Sequence, residues 1–297
     1  MSPPRMPAPL GDDGSASAAS VPQPFATARR LIANRDLDGI FGALERRLRA
    51  PWVALRRWWH RDHPWMGWIV VATGNSVRLD GCRFDVSHPQ ITNALRARLW
   101  RGRYERSERA LIETWLDRAA PVIELGGGIG VVATLVNRRL RNPHRHVVVE
   151  ANPSLIPVLE RQKALNGASF IVEHAAVDYS GGRTTKLVVD EEFISGRVGA
   201  TAGRAVEVPA VTLARLLRRY PWTGITLVCD IEGIETQLVE HEGELLAYRC
   251  TTLIIEVHPE FRSEAECEAL FASLRARGFA HVGRVRKVHA FRLNPEP

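Results

Sequence analysis

Residues 122–133 read Val-Ile-Glu-Leu-Gly-Gly-Gly-Ile-Gly-Val-Val-Ala. The run ending at Leu125 has the length of a buried strand, and the apolar pattern that resumes at Val131 predicts a helix over 131–141. Between them, glycines at 126, 128 and 130 allow a sharp turn and a close approach of backbone to a ligand. The first turn of the following helix adds unpaired N–H groups. Strand, glycine turn and helix in this order open a nucleotide-binding α/β unit.

Downstream, strand-like runs at 146–150, 169–174, 225–230, 251–257, 279–285 and 288–293 alternate with helical patterns at 154–166, 212–219, 235–247 and 263–277. Such alternation predicts a mostly parallel sheet with helices on both faces. The connection between the last two strands is too short for a crossover helix, so they should pair antiparallel. Ser263-Glu-Ala-Glu266 forms a capping box at the start of the last helix, and Gly278 is a suitable residue to close it. The stretch 179–211 interrupts the alternation with two strand-like pieces around a glycine-rich loop. It reads either as an insertion beside an acceptor pocket or as an ordinary edge hairpin.

Upstream, residues 1–28 are rich in Pro, Ser, Ala and Gly and are expected to be a disordered tail. Residues 29–64 form a basic, tryptophan-rich helical segment with Ile40, Phe41, Leu44 and Leu48 on one face. It reads as a helical pair packed on the main domain or a second subunit, or as a peripheral membrane contact. Over 65–118, turn signals at "TGNS" and "DG" predict a small β-meander or hairpin. A lead-in helix with Ile112, Trp115, Leu116 and Ala119 on one side follows, capped by Ser107. The main domain is then 119–297.

The formal net charge is +7, carried mostly by arginine, yet no nucleic-acid-binding module is recognisable and no nucleic-acid partner is expected. No run approaches the roughly 20 apolar residues of a transmembrane helix, and the first 28 residues lack the apolar core of a secretory signal. Cys82, Cys229, Cys250 and Cys267 are scattered, with no CxxC pair, as in core residues of a cytoplasmic protein.

The glycine turn satisfies two templates. Gly128 to Ala133 fits G-x-G-x-x-A, and Glu150 lies at the distance at which an acid binds a ribose diol. That combination points to an NAD(P)-dependent oxidoreductase. Glu124, Gly126, Gly128 and Gly130 also fit E-x-G-x-G-x-G, which resembles the first motif of class I S-adenosylmethionine methyltransferases. An acid inside the turn attracts a cofactor carrying an ammonium and a sulfonium, and repels a pyrophosphate. The expected fold is therefore a class I methyltransferase Rossmann-like α/β sheet, mostly parallel with an antiparallel terminal hairpin, preceded by a helical and β-hairpin extension.

Two further stretches carry chemistry. "CDIEGIE" (229–235) brings Asp230, Glu232 and Glu235 to a strand end, and "IIEVHP" (254–259) delivers Glu256 and His258 to the same rim. His258 suits a general base by intrinsic pKa, with Glu232 and Asp230 as alternatives. Asp230, Glu232 and His258 are also hard-ligand types for a divalent metal, though their spacing is not diagnostic and no metal is assigned. His174 reads as structural.

"GRYERSE", "VEANPSLIPVLERQKALNG", "VTLARLL", "DIEGIE" and "IIEVHP", in this order between about Gly102 and Gly278, resemble the FkbM family of S-adenosylmethionine-dependent methyltransferases. The resemblance implies O-methylation of a hydroxyl on a sugar, glycolipid or polyketide-like acceptor. It implies that Glu124, Gly126, Gly128 and Gly130 form the cofactor turn, that Glu150 holds the ribose, and that Ala176 and Asp178 border the adenine. Asp230 and Glu232 would sit by the methyl group and acceptor. The chain departs from the family pattern at Gly127-Gly128, at Val228 where a lysine is common, and at Ala214 where an aspartate is common. Val228 and the Trp/Arg-rich segment motivate a third reading, a non-catalytic membrane-surface or scaffold protein built on a degenerate methyltransferase domain.

Overall fold

The computed structural model describes residues 63–189, 196–198 and 204–293. The expected tail 1–28, nearly all of the segment 29–64 and the tip of the 179–211 insertion lie outside them.

The described chain opens with helix α1 (Pro64–Ala72), a two-stranded hairpin of β1 (Ser76–Leu79) and β2 (Cys82–Asp85), then α2 (Asn93–Trp100) and α3 (Arg106–Trp115). Asp80 and Gly81 both take positive φ, as a tight hairpin turn with the strands' twist requires. Of the expected β-meander or hairpin the structure forms the hairpin, and Trp68–Ala72 is helical. Proline starts that helix, and Met66, Gly67 and Val70 are its buried residues. At Gly67 the backbone of Asn93 in α2 approaches so closely that a Cβ would stand 2.2 Å from its carbonyl oxygen. Packing has overridden the β preference of Ile69, Val70 and Val71. Ser107 does not cap α3 either: the cap position is Glu105, in a left-handed conformation with no side-chain cap.

The main domain then runs β3 (Val122–Leu125), α4 (Val131–Arg139), β4 (His146–Glu150), α5 (Ile156–Leu165) and β5 (Ile171–His174). Four short strands follow in a separate sheet: β6 (Ala176–Val177), β7 (Thr184–Val189), β8 (Gly196–Val198) and β9 (Arg204–Val211). The chain continues through α6 (Leu213–Arg219), β10 (Ile225–Cys229), α7 (Glu235–Arg249), β11 (Cys250–Glu256), α8 (Glu264–Ala276), β12 (Phe279–Val285) and β13 (Val288–Leu293).

The main sheet has seven strands in the order β12-β13-β11-β10-β3-β4-β5. From β5 to β11 all neighbours are parallel; β13 runs antiparallel to both β11 and β12. This is the class I methyltransferase architecture expected from the alternation and the short last connection. Strand periodicity divides the core into two layers. Ile123, Leu125, Leu227, Cys229, Leu253 and Ile255 face the apolar sides of α6, α7 and α8. Val122, Val228 and Ile254 face Leu111 and Ile112 of α3 and Val132 and Val136 of α4. Ile129, in the glycine turn, is buried with hairpin residues Val77, Leu79 and Phe84, so the N-terminal extension braces the turn.

Candidate active site

The residues two positions beyond Val122, Val228 and Ile254 are Glu124, Asp230 and Glu256. Alternation therefore puts an acid from each of three neighbouring strands on the α3 and α4 side, at the carboxyl end of the sheet where α/β folds bind ligands.

The glycine turn fills the space between them. Gly126, Gly128 and Gly130 have φ of +93°, +51° and +83°. A Cβ on Gly126 would meet the Asp230 carbonyl oxygen at 1.8 Å, so only glycine fits against the end of β10. The Gly128 N–H donates to Glu150 Oε2 and the Asn152 N–H to Glu150 Oε1, each at 2.7 Å. Burial lifts the Glu150 carboxyl to about 7, against the pull of those amides. Glu124 is 1% exposed, and neither of its oxygens has a hydrogen-bond partner. Its neighbour His146, 3.4 Å away, is pushed down to about 3 by burial. Burial, then the charges of Glu105, Glu150 and Asp230, hold the Glu124 carboxyl well above the carboxylate range.

The segment before α3 covers this turn. Arg109 Nη1 donates to the carbonyl oxygens of Gly102 and Tyr104, both at 3.0 Å, and its Nε reaches Asp80 at 2.8 Å. Held this way, the Tyr104 hydroxyl and Glu105 Oε1 lie 3.5 and 3.7 Å from where a Gly128 Cβ would stand. Burial raises Glu105 to about 7.

His258 forms the other half of the site. Its Nδ1 lies 2.9 Å from Glu235 Oε1, in the first turn of α7. Glu235 is 1% exposed and also accepts the N–H groups of Ile231 and Gly233. A carboxylate can only accept from the imidazole, so the Nδ1 proton is fixed and Nε2 points outward. Nε2 then faces Asp230 Oδ1 at 3.5 Å, Glu232 Oε2 at 3.6 Å and Glu256 Oε1 at 3.8 Å. Phe261 stacks on the ring. Burial alone would lower the His258 pKa, but the Glu235 hydrogen bond and the charges of Glu235, Glu232 and Glu256 outweigh it and raise it. Asp230 is held well above its ordinary range by burial and by Glu256, Glu232 and Glu108. Glu256 reaches about 8 through burial and its hydrogen bond to the buried Glu108.

The structure thus brings together Asp230, Glu232 and His258, and sets Glu124 and Glu150, from the ends of β3 and β4, around the turn of Gly126, Gly128 and Gly130. Ala176 packs in the core of the small sheet with Leu187 and Val208, and Asp178 is engaged by the amide and hydroxyl of Ser180. His174 Nε2 lies 3.2 Å from the Ala151 carbonyl oxygen. Among the described residues, two overlapping groups have cation-ligand spacing, Asp230 with Glu235 and His258, and Glu108 with Asp230 and Glu256. Glu235 is committed to two amides and an imidazole, so it supports His258 more readily than it could bind an ion. The sequence brought Glu235 and Glu256 to the right rim without a role, and left Tyr104, Glu105 and Glu108 as bare letters of "GRYERSE".

No family model matches the chain, and no curated protein matches it. Among solved structures it is similar to the fibrillarin pre-rRNA processing protein of Methanococcus jannaschii, with a TM-score of 0.41 and 10% identity over 61% of this chain and 69% of that one. It is similar to a Streptococcus agalactiae protein of the NADB-Rossmann superfamily (TM-score 0.40, 11% identity, 64% and 69% of the two chains). A third is Aeropyrum pernix fibrillarin with natively bound S-adenosyl-L-methionine (TM-score 0.35, 12% identity, 62% and 71%). The chain's own strand order, β12-β13-β11-β10-β3-β4-β5, defines its fold.

Proposed function

We propose that this chain is an S-adenosylmethionine-dependent O-methyltransferase acting on a hydroxyl of a small, carbohydrate-like acceptor. One observation carries the reading: Asp230 belongs to both halves of the site. Its carbonyl packs on Gly126 of the cofactor turn, while its carboxylate faces His258 Nε2 at 3.5 Å. A nucleotide in the turn and a hydroxyl at His258 would be adjacent. The turn fits the cofactor by its glycine-only cradle and by the two orphaned oxygens of Glu124, which favour a cation over a pyrophosphate.

When bound, the cofactor supplies an electrophilic methyl group on a sulfonium. The turn, with Glu150 on the ribose, positions it. His258 Nε2 takes the proton of the attacking hydroxyl, Glu235 holds the Nδ1 proton throughout, Asp230 and Glu232 orient the acceptor, and Glu235 and Glu232 stabilise the imidazolium. The motifs that resemble the FkbM family support a sugar, glycolipid or polyketide-like acceptor.

The test is calorimetric titration of the full chain with S-adenosylhomocysteine and, separately, NAD. Micromolar binding of the first, abolished by Gly128→Arg, is expected, followed by an acceptor screen with radiolabelled methyl donor. There, His258→Gln should keep cofactor affinity and lower turnover by about 10²–10⁴-fold. Binding of NAD in place of the thioether would overturn the reading in favour of an oxidoreductase.

A further inference from the structure

Four carboxyl groups surround the glycine turn: Glu124 from β3, Glu150 from β4, Asp230 from the end of β10 and Glu105 from the segment before α3. They act on one another, since the charges of Glu105, Glu150 and Asp230 all raise Glu124. Glu150 is satisfied by two backbone amides and Asp230 faces His258. Glu105 Oε2, Asp230 Oδ1 and both oxygens of Glu124 are nevertheless buried without a hydrogen-bond partner. Glu105 also sits at φ +47°, a conformation that side-chain-bearing residues seldom adopt. Two features hold it there. Tyr104 and the Val132 N–H of α4 hydrogen-bond its carboxylate, and Arg109 clamps the carbonyl oxygens on either side of Arg103. The outcome is an acid fixed 3.7 Å from the Cβ position of Gly128, over the turn rather than out in solvent.

We infer that Glu105, positioned by Tyr104 and Arg109, is a cofactor-binding residue that receives the α-ammonium of an amino-acid-bearing adenosyl thioether at the glycine turn. This rests on the cofactor proposed above and deepens it. The amino-acid tail, not the nucleoside, then supplies much of the affinity. A charge-assisted hydrogen bond at a site shielded from water is among the stronger single contacts available. The acid comes from outside the strand–turn–helix unit, so a glycine motif alone would not supply it.

Three probes separate the parts of the ligand. S-Adenosylhomocysteine carries ammonium and carboxylate, its decarboxylated analogue S-adenosyl-3-thiopropylamine keeps only the amine, and 5′-methylthioadenosine has neither. Titrated into the full chain, the first two should bind comparably and methylthioadenosine at least about 10-fold more weakly. Glu105→Gln should weaken the two amines by about 10-fold or more and leave methylthioadenosine within about 2-fold. Tyr104→Phe, which leaves the carboxylate but removes its donor, should act in the same direction by less, and serves if Glu105→Gln fails to fold. Methylthioadenosine binding as tightly as the amines, or a variant that weakens all three alike, would overturn the assignment while leaving the cofactor reading intact. Binding of none of the three by the unaltered chain would overturn both.

Discussion

His258 is 5% exposed and meets four carboxylates, yet only one of them holds it at normal hydrogen-bond distance. Glu235 therefore sets both the tautomer and the affinity for the proton. Replacing it by glutamine keeps the shape and removes the charge, so the His258 pKa should fall by about one unit or more. The acid limb of any rate profile should then move to lower pH. A ¹H–¹⁵N titration of the imidazole checks this without an acceptor; an unchanged midpoint would remove Glu235 from its role. At Gly126 the constraint is steric, and Gly126→Ala combines a left-handed φ with a 1.8 Å overlap on Asp230. A loss of at least about 2 kcal/mol in denaturant unfolding is expected, with S-adenosylhomocysteine binding lost as well. That the glycines, Glu124, Glu150, Asp230, Glu232 and His258 share one end of the sheet was legible because each sits at a strand end or in a turn of recognisable spacing. The pairing of His258 with Glu235 was not. It joins residues 23 apart in sequence through the parallel register of β10 and β11, which no local pattern encodes. Glu105 was hidden for a related reason: its left-handed backbone is set by contacts of Arg109, not by its own residue type.

Elements whose boundaries rest on local chemistry appeared where the sequence placed them. Ser263 and Glu266 exchange backbone hydrogen bonds as a capping box, Gly278 takes φ +87°, and β12 and β13 pair antiparallel. The helix α1 was misread because its apolar run, Trp68 to Ala72, lacks polar interruptions and so carries no periodicity to separate helix from strand. What decided it was a contact with α2 at Gly67. A comparable long-range contact holds α6. Thr212 supplies an ordinary cap, but the N–H groups of Leu213 and Ala214 donate to Glu242, at 2.8 and 2.7 Å, from within a kink of α7. The Tyr179 hydroxyl donates to the same carboxylate at 2.5 Å. Glu242 thus ties together α6, α7 and the loop after β6. Glu242→Ala should leave buried donors without acceptors and cost about 2–4 kcal/mol in chemical denaturation. A Thr212→Ala change should cost only about 1 kcal/mol. Equal losses would show that Glu242 holds α6 no more firmly than the Thr212 cap does.

Over the whole molecule, the acids of the site impose a pH dependence on folding whose sign can be worked out. Glu105 and Glu150 are raised from 4.5 to about 7 and Glu256 to about 8, while Glu124 and Asp230 are held well above their ordinary values. A group raised on folding stabilises the native state fully below its unfolded pKa, and that contribution is lost as pH rises through the folded value. His258, also raised, acts in the same sense. His146 and His289, lowered from 6.5 to about 3 and about 4, act oppositely, but only as pH falls below 6.5. Above that point these shifts all agree: the ligand-free chain should lose stability from about pH 6.5 to about pH 8, by about 1.4 kcal/mol per pH unit for each proton that the native state holds in excess. In a melting scan this corresponds to a Tm drop of roughly 3–5 °C per pH unit for one such proton. Saturating S-adenosylhomocysteine brings an ammonium to the acids around the turn, lowers their proton affinity and should flatten the slope. A ligand-free Tm that stays level or rises over this range would mean that the carboxyl groups reach solvent or a counter-charge, and the site would then lack the electrostatic reason to prefer a cationic cofactor.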